Sequence, residues 1–489
     1  MIASVVSLAS CDLDLYPQTG YNEGNVKVDE NTESQYNTRE DMLGLRNSIY
    51  DSWAKGVQEY GYEDYLIYTE CRADNAYCGT NTAEIMNIEA NKQDGANVNV
   101  ERDWNYYLSQ MSNANNIICN VDRVMKQDPT LTQAEANEWS AEARCWKAWA
   151  LFQMSRLWGP VPVINTIPPA ITSENIEEVY FEYFPPQETL ETVYAQLVED
   201  LEFAIQYAPD VDQSNKFIFA KGLLARIYAE APIRDWNKVA ELCSSIENDY
   251  GYELCDDYGE MWAYDENDAV RNTKESIFEV QWTRASGNWV FMMFHRNAYN
   301  PSDSYSWAKW VTPSRNLIAA YDAQGDTERK NTSIVIDECG WSNYYPNYEY
   351  AFMHKVPTNA SSIILMRLGE IKLLHAEALA CTGDLAGATK LVNEIRTRAG
   401  IKPISQPANE HDMITAILDE RRLELAFEGH RFFDLVRHGL ERAKAVHDAM
   451  NDEDPLWQTR LPLTQESILM PVPQSALDDN PSLVQNPGY

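Results

Sequence analysis

Between Glu420 and Glu428 the chain places Glu420, Arg421, Arg422, Glu424 and Glu428 among apolar residues, Ile414, Ile417, Leu418 and Leu425, that recur at helical spacing. Carboxylates and guanidinium groups this close together suit two kinds of chemistry. Acid/base catalysis needs two carboxylates facing one cleft, whereas ion pairing needs only opposite charges three or four residues apart, as they are here. Pairing is the expectation: ions along the flank of an amphipathic helix, each exposed pair contributing under about 1 kcal/mol. Gly429 interrupts that helix, Phe432, Phe433 and Leu435 restart an apolar face, and Gly439 behind Arg437 and His438 stops it.

Other catalytic patterns are missing. The seven histidines form no HExxH, no serine sits in a GxSxG elbow, and neither a P-loop nor GxGxxG occurs. His375, among Leu373, Leu374 and Ala376, reads as a packed histidine. Besides Cys11, the cysteines are Cys71, Cys78, Cys119, Cys145, Cys243, Cys255, Cys339 and Cys381, none at zinc spacing. Cys71 with Cys78, or Cys243 with Cys255, could close short loops, but buried free thiols account for them equally well, and no disulfide is assigned. Asp256, Asp257, Glu260, Asp265, Glu266 and Asp268 offer oxygens that would suit a structural calcium ion, yet they lack EF-hand spacing and its glycine, so a solvated loop is expected. No catalytic residue, metal ligand or cofactor is assigned.

The 489 residues could make about three average domains or one large domain of helical hairpins. Hydrophobic residues make up 44%, and 14 Trp and 28 Tyr exceed what packing alone requires. A formal charge of −36 repels phosphate backbones and anionic lipid, which excludes nucleic acid as an expected partner and favours neutral ligands over sulfated ones.

Ile2 to Ala9 are apolar and small and run into Leu8-Ala9-Ser10-Cys11, too short a stretch to span a bilayer. Residues 1–11 look like the end of a signal peptide with a lipobox, Cys11 being the lipid-attachment residue, although no Lys or Arg precedes it. The alternative is a buried N-terminal strand.

Helical periodicity predicts a first helix over Tyr36–Ala54 and hairpins over about 105–157, 187–231 and 367–400. The first hairpin has Leu108, Met111, Ile118 and Val121 on one face, then a capping box at Thr132 and Glu135 opening a long helix that ends before Gly159-Pro160. The second shows Val193, Leu197, Leu201 and Ala204 against Ala220, Leu223, Leu224 and Ile227; the third turns at Gly383-Asp384. Their small and apolar residues follow the tetratricopeptide (TPR) pattern without a regular period. Few strands are expected, among them Ile277–Trp282 with Phe278, Val280 and Trp282 alternating. The fold class is mainly α: TPR-like hairpins as a scaffold, with inserted loops and a few short strands.

Four ordered stretches resemble the SusD/RagB family of outer-membrane nutrient-binding lipoproteins. They are Ala141 to Pro162, Arg367 to Ala378, Glu420 to Gly439, and Pro471 to Tyr489, which ends in PSLVQNPGY. His438 departs from the pattern, where tryptophan is more usual. The resemblance implies one SusD-like domain over 12–489 with its signature helix at about 410–439. It also implies outward-facing attachment to the outer membrane through a lipid anchor, and Asp12 and Asp14 resemble the export signal of Bacteroidetes surface lipoproteins. Its implied partner is a SusC-like TonB-dependent transporter, on which the helical layer docks while the opposite face holds a nutrient.

Two insertions suit that ligand face, at about 70–103 and 286–350. The first carries Arg72, Asp74, Asn75, Tyr77 and Asn81; the second carries Trp289, Tyr305, Trp307 and Trp310. Aromatic rings cover the C–H face of a pyranose while Asn, Asp and Arg satisfy its hydroxyls, so these nine are the candidate glycan-binding residues. Trp282, Phe291 and Phe294 are expected in the core, and the aromatic run Trp341–Phe352 is a secondary candidate. The expected function is capture of oligosaccharide and its delivery to the transporter. Peptide binding on the same scaffold, a TPR adaptor for a protein partner, and a glycosidase remain as alternatives.

Overall fold

A computed structural model describes residues 35–79, 82–169, 171, 175–207, 216–265, 267–295, 310–454 and 460–489. Cys11 and the leader around it, Asn81, Glu266, Tyr305 and Trp307 fall outside those residues.

Helix α1 (Arg39–Gln58) is capped by Thr38 and runs on through two π-helical turns, Glu59–Glu63 and Ile67–Cys71, instead of giving way to a loop after Ala54. Next comes α2 (Val98–Ile118), capped by Asn97. Thr132 then opens α3 (Gln133–Trp158): its hydroxyl accepts from the Glu135 amide and the Glu135 carboxylate accepts from the Thr132 amide, the reciprocal bonding the sequence pattern implies. At the other end Gly159 takes a φ of +75° that a β-carbon would strain. Helices α4 (Leu190–Tyr207), α5 (Lys216–Ala229) and α6 (Trp236–Asp249) follow. After an interruption that contains α7 (Arg315–Gln324) come α8 (Leu368–Cys381), α9 (Leu385–Arg398), α10 (Glu410–Glu424) and α11 (Arg431–Arg437).

The helices from α2 to α6 and from α8 to α10 form a continuous layer, each packed on the next. Helix α6 joins the two groups by packing on both α5 and α8, across more than a hundred residues of intervening chain. It carries Val239, Cys243 and Ile246 inward, a four-then-three spacing that sets an apolar stripe toward its neighbours. No helix among the described residues is long and apolar enough to cross a membrane.

Among the described residues, six short strands make three antiparallel pairs: β1 (Ala76–Cys78) with β3 (Val311–Pro313), β2 (Ser276–Val280) with β6 (Ile363–Arg367), and β4 (Ile334–Asp337) with β5 (Tyr350–Met353). All five residues of β2 are buried, so its aromatic side chain packs in the core together with Trp282, Phe291 and Phe294. None of the eight cysteines from Cys71 onward is in a disulfide.

The charged signature stretch departs from expectation in both partners and surroundings. Glu420, Arg421 and Glu424 are at most 2% exposed, and their charges are met by residues of other elements instead of by neighbours on a wet helix flank. The reason is packing: α10 lies against α7, α8 and α9, so its polar side is covered as well as its apolar one. Glu424 receives Arg367 Nη1 at 2.6 Å, Arg329 Nη1 at 2.9 Å and the Arg398 guanidinium; Glu420 receives Arg329 at 2.7 Å and Arg396 at 2.6 Å. Glu428 binds Arg367 Nε at 2.8 Å and Lys355 at 2.7 Å. Burial opposes ionisation of Glu424, but three guanidinium groups outweigh it and hold the carboxyl well below the usual range.

Between α10 and α11 the backbone reverses through Phe427, at φ +64°, and Gly429, at φ +81°. The buried Glu70 carboxylate accepts from the amides of Phe427, Gly429 and His430 at 3.2–3.3 Å and from Asn75 Nδ2 at 2.7 Å, which fixes the turn to the end of the α1 extension. His438, in place of the more usual tryptophan, stacks on Trp236 and bonds Glu377 through Nε2 at 2.7 Å.

Candidate ligand-binding face

The two insertions meet. Strand β1 of the first pairs with β3 of the second, Tyr77 opposite Thr312, and hydrogen bonds extend the junction on either side. Trp310 donates its amide to the Met293 carbonyl at 2.9 Å and accepts from the Gly79 amide at 3.0 Å. The Gly79 carbonyl accepts from Asn343 Nδ2 at 3.3 Å. Asn343 Oδ1 in turn accepts from the Tyr344 amide at 2.7 Å and the Tyr350 hydroxyl at 2.5 Å. The 338–349 loop, which joins β4 to β5 within the second insertion, is thereby tied to the first.

Four candidates from the first insertion sit in the interior: Arg72, Asp74, Asn75 and Tyr77 are all under 5% exposed. This corrects their placement on a ligand face, because their polar groups are already used within the fold. Arg72 donates to the Ser467 and Ile468 carbonyls and lies 4.2 Å over the Phe432 ring. Asp74 is held at 2.8 Å by Arg431 and 3.2 Å by Arg422; burial works against its charge, yet the two arginines keep the carboxyl at about 2. Asn75 bridges Glu70 and Arg422 Nε, and the Tyr77 hydroxyl donates to Asp454.

Of the second insertion, Trp289 and Trp310 are half-buried. Trp289 opens a 3-10 turn, Trp289–Met293, its amide donating to Gln58 Oε1 at 3.0 Å. Tyr305, Trp307 and Asn81 are outside the described residues, so the expected cluster is represented by Trp289 and Trp310 alone.

The aromatic run Trp341–Phe352 spans the β4–β5 loop. Trp341 and Tyr345 are half-buried and rest edge-on against Tyr350, at 4.6 and 5.7 Å between centroids. Tyr348 is 69% exposed. Exposed Ser342, Asn343, Asn347 and Glu349 stand among them, so rings and short polar groups alternate on one loop. Sequence pattern alone makes this run a secondary candidate and gives no role to Arg315, whose guanidinium reaches Tyr77, Tyr344 and Asp454; the signal available was the density of tyrosine in residues 344–350.

At the rim, the Asp337 carboxylate stands 2.9 Å from His295 Nε2, and burial pushes the His295 imidazole down. The acidic 256–268 loop approaches through Tyr264, whose ring meets His354 edge-on. Among its described carboxylates, Asp257 accepts from the Gly259 amide, Asp265 from those of Asn267 and Asp268, and Asp268 pairs with Arg271. Among the described residues no three His, Cys, Asp or Glu side chains are placed to hold a metal ion.

Comparison with known proteins bears on the whole assembly. The SusD family model matches residues 255–489, and a model described as starch-binding associating with outer membrane matches residues 27–229. SusD-like protein P38 of Formosa agariphila is 24% identical, over 100% of this chain and 98% of that protein. Among solved structures, a SusD homolog from Bacteroides thetaiotaomicron superposes with a TM-score of 0.76 at 20% identity, covering 94% of this chain and 100% of the other. Surface glycan-binding protein A from Bacteroides fluxus superposes at 0.72 and 22% identity, covering 93% and 100%. The chain belongs to the SusD-like family.

Proposed function

We propose that this protein captures oligosaccharide at the outer face of the outer membrane and delivers it to a SusC-like TonB-dependent transporter, held at the surface by a lipid on Cys11. The observation that supports the reading is the junction of the two insertions: Trp310 accepts from the Gly79 amide, Gly79 accepts from Asn343, and the loop so tied carries half-buried Trp341 and exposed Tyr348 with Ser342, Asn343 and Asn347 between them. Rings of this kind cover the apolar face of a sugar at low entropic cost, since each has only two side-chain torsions to fix. Tyr305, Trp307, Trp289 and Asn81 complete the proposed glycan-binding set.

The acidic rim, with Asp337, Glu338 and Glu349 in or beside the loop, disfavours sulfated or uronic polymers and leaves neutral glycans as the proposed class. Delivery follows if the ligand contacts both partners when the protein closes over the barrel, because only that differential contact shifts an open–closed equilibrium. The helical layer is the docking side in this reading, with no bond made or broken.

The test is affinity electrophoresis against starch, laminarin, xylan and pectin, with a defined oligopeptide in calorimetry as control. Retention by a neutral polysaccharide supports the reading. Retention by none, with the oligopeptide bound, replaces it with peptide capture, and release of reducing sugar replaces it with hydrolysis.

A further inference from the structure

Three segments that lie far apart in sequence converge on Arg315, the first residue of α7. Its amide and its Nη1 both donate to the Tyr77 hydroxyl, at 3.0 and 2.7 Å. Nη1 also stands 3.3 Å from each Asp454 carboxylate oxygen, and Nη2 donates to the Tyr344 carbonyl. The guanidinium carbon is 4.8 Å from the centre of the Tyr345 ring, and Tyr77 stacks on Tyr344 at 4.2 Å with 14° between planes. The Tyr77 hydroxyl donates to Asp454 while accepting twice from Arg315, so this buried oxygen has a partner for its proton and for its lone pairs.

The 338–349 loop has no regular secondary structure between β4 and β5. It bears the exposed Tyr348 four residues beyond the Tyr344 carbonyl that Arg315 holds. A loop of this length left to itself would sample many conformations and would lose that freedom on gripping a ligand. Arg315 limits it beforehand at two adjacent residues, through the backbone of Tyr344 and the ring of Tyr345. A planar fork can hold a carbonyl, a hydroxyl and a carboxylate together, which a lysine ammonium cannot reproduce. Asp454 neutralises the guanidinium, so the group serves position rather than attraction for anions.

We propose that Arg315 is a positioning residue for the ligand face: it presets the Trp341–Tyr348 loop for binding and touches no sugar itself. This rests on the glycan-binding reading above. Folding depends little on it, since the Arg315 side chain is 35% exposed and α7 keeps its Ser314 cap and its buried Leu317 and Tyr321.

The test compares Arg315→Met, Arg315→Lys and Asp454→Asn with the wild type by amide hydrogen exchange over residues 338–349 without ligand, by thermal unfolding, and by affinity electrophoresis on whichever of starch, laminarin, xylan or pectin the wild type retains. Expected for Arg315→Met are faster exchange confined to the loop, a midpoint of unfolding within a few degrees of wild type, and binding weakened by about tenfold. Arg315→Lys should recover part of both effects. Asp454→Asn, whose side-chain oxygen still accepts, should leave loop exchange close to wild type. Unchanged loop exchange in Arg315→Met overturns the proposal, and so does faster exchange with undiminished binding. Exchange is read without any sugar, so it decides whether Arg315 positions the loop even if the wild type retains no polysaccharide, the outcome that sinks the glycan reading instead.

Discussion

Glu424 and Arg367 meet at 2.6 Å in the interior, one on the signature helix and the other at the end of β6, with neither side chain more than 1% exposed. Removing one member of such a pair leaves its partner buried and uncompensated, at a cost of about 3–5 kcal/mol. Glu424→Gln should therefore lower the free energy of unfolding by about that amount in urea titration, whereas Lys238→Gln, at a surface pair on α6, should change it by under about 1 kcal/mol. Equal effects would contradict the network's structural role.

Acid should unfold the protein through the same carboxylates. Arginines hold Asp74, and Arg367 with Lys355 holds Glu428, at about 2 against the opposing effect of burial. A carboxyl depressed in the native state stabilises above its unfolded value, near 4, and that stability disappears as pH falls toward 2. Stability followed by circular dichroism should drop over this window, less steeply in Asp74→Asn than in the wild type.

Asp64 and Asp103 should act in the opposite direction. Asp64 lies between the two π-helical turns and Asp103 on α2, both buried; burial raises Asp64 to about 6 despite Arg102 beside it, and burial together with Asp64 lifts Asp103 well above the carboxylate range. A raised carboxyl contributes stability that is complete below about pH 4 and is lost as pH rises through its native value. Asp103→Asn should gain on the wild type by about 1–3 kcal/mol between pH 4.5 and pH 8. A difference that does not vary with pH would refute the raised Asp103 carboxyl.

Gly429 sits at φ +81°, and a β-carbon there would come within 2.9 Å of the Tyr65 ring. Gly429→Ala should cost about 1–3 kcal/mol, read as a lower midpoint in thermal unfolding.

None of the eight cysteines from Cys71 onward is in a disulfide, and five of them are buried within the helical layer and its insertions or beside the strands. Adding dithiothreitol should leave the unfolding temperature unchanged, whereas a fall of several degrees would reveal a disulfide.

The helical scaffold was legible because apolar residues repeat every three to four positions and because Thr132, Glu135 and Gly159 mark the limits of α3. Periodicity does not reveal whether a polar stripe meets water or another helix. That is why the charges of α10 read as surface pairs when α7, α8 and α9 enclose them. The same limit misplaced Arg72, Asp74 and Asn75: a polar cluster beside tyrosine resembles a sugar site until Arg422 and Arg431, 348 and 357 residues away, are seen to occupy it. The meeting of the two insertions through β1 and β3 is likewise long-range pairing with no local signature.

The most direct measurement is calorimetric titration of the wild type, Tyr348→Ala and Trp310→Ala with the neutral polysaccharide that affinity electrophoresis selects. The account predicts binding by the wild type and, at an unchanged unfolding temperature for Tyr348→Ala, affinity reduced about three- to tenfold by each substitution. Undiminished binding by both variants, or a wild type that takes up only the oligopeptide, would contradict it.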